Sequence, residues 1–349
     1  MQSELLHDFA PRLIAWQRDH GRDSLPWHGT QDAYRIWLSE IMLQQTRVET
    51  VIDYYLRFLA RFPDVTTLAR APEEAVMAHW AGLGYYSRAR NLHAAARQIV
   101  DTQAGCFPTT FDGLLQLPGV GRSTAAAIAA FAYRLPGAIL DGNVKRVLAR
   151  VFAIDGWPGE KRVEAGLWNL AETLLPDAAG IRAYTQGLMD LGATLCTRAR
   201  PRCPACPFGD TCLARKLGRQ SELPRPRPKK TLAKKSTAML ILLHGDEILL
   251  EKRPAPGIWG GLWSLPEFPI DADPAHAAAV LGYHANEVRK RPAFEHGFTH
   301  FQLHIQPWLL LVERPLVAAE AVHLWLPLAD SERAALPAPV KRIVRSLSE

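Results

Sequence analysis

Apolar residues recur at helical spacing through most of the first 195 positions. They do so in 4–16, 33–61, 73–80, 88–100, 122–133, 144–152, 162–174 and 181–191, so each stretch predicts a helix with one buried face. Turn residues punctuate them: Pro26, Pro63, Gly82-Leu83-Gly84, Gly105, Pro108, Pro118-Gly119, Pro136-Gly137, Pro158-Gly159 and Pro176-Asp177. Strand-like alternation is missing from this block, which therefore reads as all-α. Beyond about residue 236 the period changes. Thr237–His244 and Glu247–Lys252 are short apolar runs around Gly245-Asp246, a hairpin signal. Phe301-Gln302-Leu303-His304-Ile305-Gln306 alternates strictly and runs into the apolar Trp308–Val312. Helical patterns at 274–290 and 331–347 lie among these strands, so this second block reads as α+β. There is no internal repeat.

Between the two blocks, four cysteines fall within 17 residues, followed by Leu223-Pro224-Arg225-Pro226-Arg227-Pro228-Lys229-Lys230, whose Pro/basic alternation favours an extended, solvated linker. The expected organisation is an all-α domain over 1–195, a cysteine loop over 196–214, a basic Pro-rich linker over 215–235 and an α+β domain over 236–349. A chain of 349 residues with 48% hydrophobic content holds two such cores, which excludes a disordered protein and a disulfide-stapled miniprotein. No apolar run is long enough to span a bilayer, and Met1-Gln2-Ser3-Glu4 opens no secretory signal, so the expected address is cytoplasmic, with no membrane partner.

Net charge is +6, and its distribution says more than its size. Residues 1–195 carry −1 and residues 236–349 carry −3, while residues 196–235 carry +10. Positive charge confined to one short stretch suits a localised contact with a polyanion as well as it suits a solvated linker.

Cys196, Cys203, Cys206 and Cys212 form Cys-x6-Cys-x2-Cys-x5-Cys. In a chain with no sign of secretion, a group this dense points to metal rather than disulfides, and four thiolates suit either tetrahedral zinc or a four-iron–four-sulfur cluster. Arg198, Arg200, Arg202, Arg215 and Lys216 flank the group, so a metal-pinned loop could hold them against phosphates. Cys106 stands apart as an ordinary core or loop residue.

Leu117-Pro118-Gly119-Val120-Gly121-Arg122-Ser123-Thr124 opens an Ala-rich helix. Two glycines beside a helix N-terminus leave amide N–H groups for a phosphate, and the preceding apolar Phe111–Leu117 makes this a helix-hairpin-helix candidate, which grips DNA backbone without reading sequence. Two carboxylates complete the candidate chemistry. Glu40 shares a helix face with Ile36 and Leu43, where desolvation would raise its pKa and keep it protonated as a general acid; the alternative is a partly exposed helix glutamate, the commoner fate of a lone Glu. Asp141 ends the run Ala138-Ile139-Leu140 and precedes a helix from Val144, where it suits an N-cap that holds an ionised acid in place.

Together these pieces resemble the adenine DNA glycosylase (MutY) family of the helix-hairpin-helix DNA glycosylase superfamily. The resemblance covers nearly the whole chain and rests on Leu25-Pro26-Trp27, Trp37-Leu38-Ser39-Glu40-Ile41-Met42-Leu43-Gln44-Gln45-Thr46, Gly82-Leu83-Gly84-Tyr85-Tyr86 and Leu140-Asp141-Gly142-Asn143-Val144, in the family's order. It implies an all-α helix-hairpin-helix glycosylase domain with an iron–sulfur cluster loop, plus a C-terminal α+β nudix-like domain. The cofactor it implies is a four-iron–four-sulfur (4Fe-4S) cluster on the four cysteines. The partner it implies is double-stranded DNA containing A:8-oxoguanine or A:G mispairs, acted on by a monomer.

The resemblance also implies roles. Adenine must leave the base stack to reach a pocket. Glu40 would protonate the departing base and Asp141 would stabilise the oxocarbenium-like sugar, the two-carboxylate logic of glycoside hydrolysis applied to an N-glycoside. Trp27, Leu43 and Gln186 would line the adenine pocket, Gln45 and Tyr85 would wedge into the duplex, and Asn143 would join the substrate-binding residues. Gly119, Val120 and Gly121 would hold DNA backbone. Relatives that also cleave the strand carry a Lys where this chain has Ser123; a hydroxyl forms no Schiff base, which implies a monofunctional enzyme and disfavours an endonuclease III-like glycosylase/lyase. A cluster-bearing DNA-binding protein without catalysis is the non-enzyme alternative. The second block resembles the nudix fold at Gly257–Pro266. Gly261 and Glu267 match the first half of the nudix box, but Ala275 and His276 stand where Arg-Glu is required and no acidic pair follows, so the magnesium site is missing. The resemblance gives this domain lesion recognition through Phe298-Thr299-His300, where the family has Phe-Ser-His.

Overall fold

A computed structural model describes residues 2–228, 232–254, 257–298, 300–313 and 323–347. The chain divides into two compact units, residues 1–71 with 90–229 and residues 72–89 with 230–349.

The first unit is helical. Helix α1 (Gln2–His20) places Leu5, Phe9, Leu13 and Trp16 on one buried face. Phe9 stacks on Phe208 at 4.5 Å and lies edge-on to Tyr184 at 6.3 Å, tying α1 to the loop around the cysteines and to α11 (Ile181–Asp190). Helix α2 (Ala33–Leu43) starts at Asp32, whose Oδ1 accepts from Tyr34 N at 2.9 Å, and buries Ile36, Trp37, Leu38, Ile41 and Met42. It packs on α8 (Arg122–Tyr133), whose six consecutive residues Ala125–Ala130 are all buried. Ala side chains leave the backbones close together there.

The expected helix 33–61 is two helices. Gln44–Arg47 separate α2 from α3 (Val48–Arg61), and Gln45 adopts a left-handed backbone with φ 59°. Short helix α4 (Val65–Arg70), which the periodicity missed, starts on an Asp64 cap to Thr67 N at 2.7 Å. Helices α6 (Ser87–Gln103), α7 (Phe111–Leu115), α9 (Gly142–Val151) and α10 (Lys161–Thr173) complete the core. Helix α11 runs on as a π-turn over Leu191–Leu195 that delivers the chain to Cys196.

The linker is anchored at its start rather than solvated throughout. Leu223 is buried, Arg225 N donates to Gly156 O at 3.2 Å, and Asp155 receives both Arg219 Nη2 at 2.7 Å and Arg225 Nε at 2.9 Å. Those two arginines hold the Asp155 carboxyl well below the usual range.

The second unit is a mixed sheet between two helices. Strand order is β3 (Trp263–Ser264), β2 (Glu247–Lys252), β1 (Ala233–His244), β7 (Phe301–Val312) and β5 (Ala285–Lys290), with β4 (Glu267–Phe268) on β1, β6 (Phe294–Gly297) on β7 and β8 (His323–Pro327) on β2. Strands β1 (Ala233–His244) and β7 (Phe301–Val312) run parallel, with Ala238 opposite Gln306; the remaining pairs are antiparallel. Strand β1 meets β2 (Glu247–Lys252) across Gly245-Asp246, as expected. Side chains on β1 alternate between two cores. Ala238, Leu240 and Leu242 pack with Ala278 of α13 (Pro274–Val280), and Met239 and Ile241 pack with Val340, Ile343 and Val344 of α14 (Ala338–Arg345).

Two expected helices are shorter. The stretch 274–290 is helical only to Val280; Gly282, at φ 84°, turns the chain into β5 (Ala285–Lys290), which pairs with β7. The stretch 331–347 is a 3₁₀ turn ending at Arg333, a break at Pro337, and α14. The fold class is the expected one: a helical helix-hairpin-helix domain and an α+β nudix-like domain. No helix among the described residues is long and apolar enough to cross a membrane.

Candidate active site

The loop after α1, helix α2 and helix α11 enclose a cavity of about 480 Å³ in the first unit. Trp27, Glu40, Leu43 and Gln186 all line it, together with Ile36, Ser39, Phe131, Arg22, His28 and Arg182. Trp27 is buried and meets Tyr55 edge-on at 5.4 Å, which fixes its ring as a rigid wall.

Glu40 is half-buried in that wall. Burial pushes its carboxyl up to about 8, and the negative charge of Asp141 adds to the rise. Both cations lining the cavity are engaged elsewhere: Arg22 Nε donates to Asp190 at 2.7 Å, and Arg182 Nη2 donates to Thr30 O at 3.1 Å. Glu40 therefore sits as a neutral acid at pH 7.

Asp141 caps α9. Its Oδ1 accepts from Asn143 N at 2.7 Å and Val144 N at 2.9 Å, so the carboxylate is fixed by backbone donors. Ser123 Oγ accepts from Leu140 N at 3.0 Å and so tethers the residue before Asp141 to the start of α8. Asn143 Oδ1 accepts from Arg146 Nη2 at 2.8 Å, and the same guanidinium donates to Gly192 O and Cys196 O, each at 2.8 Å. A Cβ on Gly192 would meet Asn143 Cβ at 2.6 Å, so the close approach of these two segments requires glycine.

The four cysteines line one small cavity with Arg150, Leu191 and Leu195. Arg150, 3% exposed, gathers the loop by donating to Thr197 O at 2.7 Å, Arg198 O at 3.0 Å and Leu223 O at 2.8 Å, with Nη1 3.5 Å from Cys196 Sγ. Burial pushes the Cys206 thiol up to about 12 and raises that of Cys212. Among the described residues no three His, Cys, Asp or Glu side chains are drawn together to share one ion. Cys106 is exposed and apart from them.

In the hairpin, Gly119 has φ 78° and a Cβ there would strike Asn91 Cβ at 2.8 Å; Val120 is buried and Gly121 is the N-cap of α8. Gln45 and Tyr85 both have left-handed backbones, φ 59° and 48°, and Tyr85 is 47% exposed. In the second unit Phe298 stacks on Phe301 at 4.3 Å and lies beside Trp259 and His296. His300 is exposed, and Thr299 lies outside the described residues.

Sequence reasoning missed Arg22, His28, Arg182 and Asp190 around the cavity, and Arg146 and Arg150 behind it. A spacing signal existed for Asp190, four positions after Gln186 on one helix face. Arg22 meets Asp190 across the fold and leaves no local trace.

A cavity with a withdrawn carboxyl, a glycine hairpin that opens a helix and a second carboxylate on a helix cap suit a base excision repair glycosylase. Residues 38–173 match the HhH-GPD superfamily of base excision DNA repair proteins, and residues 237–346 match the NUDIX domain family. A structure of a thermostable thymine-DNA glycosylase superposes with a TM-score of 0.56 and 28% identity, covering 62% of this chain and 99% of that one. The chain is 34% identical over 345 residues to the adenine DNA glycosylase of Buchnera aphidicola subsp. Acyrthosiphon pisum, covering 98% of each protein. It is 33% identical to the human adenine DNA glycosylase, covering 97% of this chain and 73% of that protein. The chain belongs to the adenine DNA glycosylase family and is a DNA N-glycosylase of base excision repair.

Proposed function

We propose that the protein removes adenine mispaired with 8-oxoguanine or guanine in double-stranded DNA by hydrolysing the N-glycosidic bond without cleaving the strand. The observation that carries this reading is Glu40: a carboxyl in the wall of a base-sized cavity, kept protonated at neutral pH by burial. Glu40 donates its proton to the extruded adenine, and Asp141, aligned by two backbone amides, stabilises the positive charge that develops on the sugar. Trp27, Leu43 and Gln186 enclose the base. Asn143 braces the Asp141 cap through Arg146. Left-handed backbones at Gln45 and Tyr85 are strained for non-glycine residues, which supports a role for both as wedges in the duplex. Gly119, Val120 and Gly121 hold backbone phosphate. Ser123 offers no amine for a Schiff base and is engaged with Leu140 N.

Cys196, Cys203, Cys206 and Cys212 fit a 4Fe-4S cluster. All four residues line one small cavity, and burial raises the Cys206 and Cys212 thiols, whose ionisation an electropositive centre would favour. When bound, the cluster supplies a rigid anchor for the loop and no reacting atom; Arg150 and Arg146 hold the loop's carbonyls to α9. Iron and sulfide analysis of protein purified without oxygen tests the assignment. In functional terms residues 1–195 form the catalytic domain, 196–214 the cluster loop, 215–235 the linker and 236–349 the lesion-recognition domain, whose Phe298, Thr299 and His300 face 8-oxoguanine. The protein acts on DNA as a monomer, in the cytoplasm.

The test is single-turnover adenine release from an A:8-oxoguanine duplex, run beside an A:G duplex. Wild-type protein releases adenine from both, faster opposite 8-oxoguanine, and strand breaks appear only after alkali. No adenine release would end this reading, and a break without alkali would end its monofunctional part.

A further inference from the structure

Asp190 closes α11 at the back of the cavity and is completely buried. An unpartnered carboxylate there would be costly, and three donors satisfy it. Arg22 Nε donates to Oδ1 at 2.7 Å, Arg22 backbone N donates to Oδ2 at 3.0 Å, and Gln186 Nε2 donates to Oδ1 at 2.9 Å. A carboxylate paired with a guanidinium accepts hydrogen bonds and gives none. That chemistry settles which end of the Gln186 amide faces Asp190. Turning the amide over would set Oε1 against Oδ1 and leave two buried acceptors face to face.

We propose that Asp190, held by Arg22, is a positioning residue that locks the Gln186 amide with its carbonyl toward the cavity, making Gln186 a selector for bases that carry an amino group. The inference rests on reading the cavity as the adenine pocket. Adenine presents an N6 amino donor where hypoxanthine presents a carbonyl acceptor. A fixed acceptor in the wall pairs with the first and opposes the second. Without the lock, a glutamine amide turns over at little cost and accepts either base, because its two ends differ only in hydrogen-bonding sense. The lock converts an ambiguous side chain into a directional one. Sites built to hydrogen-bond a particular group discriminate far more strongly than sites that only enclose a shape.

The experiment measures single-turnover release of adenine, hypoxanthine and unsubstituted purine, each opposite 8-oxoguanine, by wild type, Asp190→Asn and Gln186→Leu. In Asp190→Asn, an amide nitrogen at either oxygen position opposes an Arg22 donor, so the clamp on Asp190 is broken and the Gln186 amide is no longer held in one sense. The adenine-to-hypoxanthine rate ratio then falls by roughly tenfold or more, a change that general loosening of the helix does not produce. In Gln186→Leu, with Asp190 intact, the advantage of adenine over unsubstituted purine falls by a similar factor. If Asp190→Asn slows both bases equally and the ratio is unchanged, Asp190 is only structural and the proposal is wrong. Should Asp190→Asn not fold, Gln186→Leu decides alone: an unchanged adenine-to-purine ratio overturns the selector. Failure of wild-type protein to release adenine is a separate result and sinks the pocket assignment itself.

Discussion

Glu40 in the helical unit and Glu267 in the sheet unit are both carboxyls withdrawn from water, and their surroundings could hardly differ more. Glu267 has Arg253 at 3.2 Å and Thr237 Oγ1 at 3.4 Å, so attraction and a hydrogen bond offset the burial that would otherwise raise it further. Glu40 has an apolar wall and a second carboxylate, Asp141, whose charge pushes the same way as burial. Both arginines that line the cavity are committed elsewhere, Arg22 to Asp190 and Arg182 to Thr30 O. A compensated carboxyl holds structure together. An uncompensated one is kept for a proton. Position in a nudix-like box is thus no guarantee of nudix chemistry: Glu267, the surviving member of that box, is engaged as a structural ion pair.

The comparison predicts opposite consequences for the same isosteric change. Glu40→Gln lowers the single-turnover rate of adenine release by about 1,000-fold, the usual weight of a positioned general acid, whereas Glu267→Gln leaves that rate unchanged. Equal losses in quenched-flow assays would erase the distinction. The wild-type rate also carries a pH signature. Glu40 is a competent acid below its folded pKa of about 8, so the rate falls tenfold for each pH unit above it; a profile flat to pH 9.5 contradicts this.

Stability should separate the two sites in the other direction. Arg253→Ala strands Glu267 without its cation and costs about 2 kcal/mol in urea unfolding, discounted because both side chains keep some solvent. A cost near zero would show that the pair is ornamental. The smallest effect is the most diagnostic. Glu40 binds its proton more tightly folded, near pH 8, than unfolded, near 4.5. Its proton therefore contributes stability that is complete below pH 4.5 and is lost as pH rises through 8. Glu40→Gln, which has nothing to ionise, should melt a few degrees above wild type at pH 8.5, with the gap closing at pH 5. A gap of the same size at both pH values would mean that Glu40 is already ionised in the folded protein.

Much of this was legible in the residue pattern, and the failures have physical causes. Helix α8 was read to its ends, because Gly121 opens it and a helical run of small apolar residues follows. The break at Gln44–Arg47 was invisible: it contains neither glycine nor proline, and the apolar period of α2 continues in phase to Val51, Tyr55 and Phe58 of α3. At 274–290 the signal was present and outweighed. The Ala-rich start favoured helix, yet Gly282 ends it, and pairing with β7 decides the fate of Ala285–Lys290. Trp27, Glu40, Leu43 and Gln186 were found through ordered motifs, and they line one cavity. Arg22 was not, because a long-range ion pair leaves no spacing to read, and Asp190 carried only its four-residue spacing from Gln186.

Helix α8 contributes no group to the chemistry, yet its run of methyl groups sets the gauge of the active site. Ala125–Ala130 are all buried, α2 with Glu40 rests against this helix, and Ala126 Cβ lies 3.0 Å from where a Cβ on Gly137 would be, on the segment leading to Asp141. One added methylene in such a seam strains the packing by about 1–3 kcal/mol. The protein would still fold, with its two acids displaced from each other. Enlarging substitutions at these alanines should therefore abolish adenine release from positions that touch neither DNA nor base, in protein that is still folded by circular dichroism.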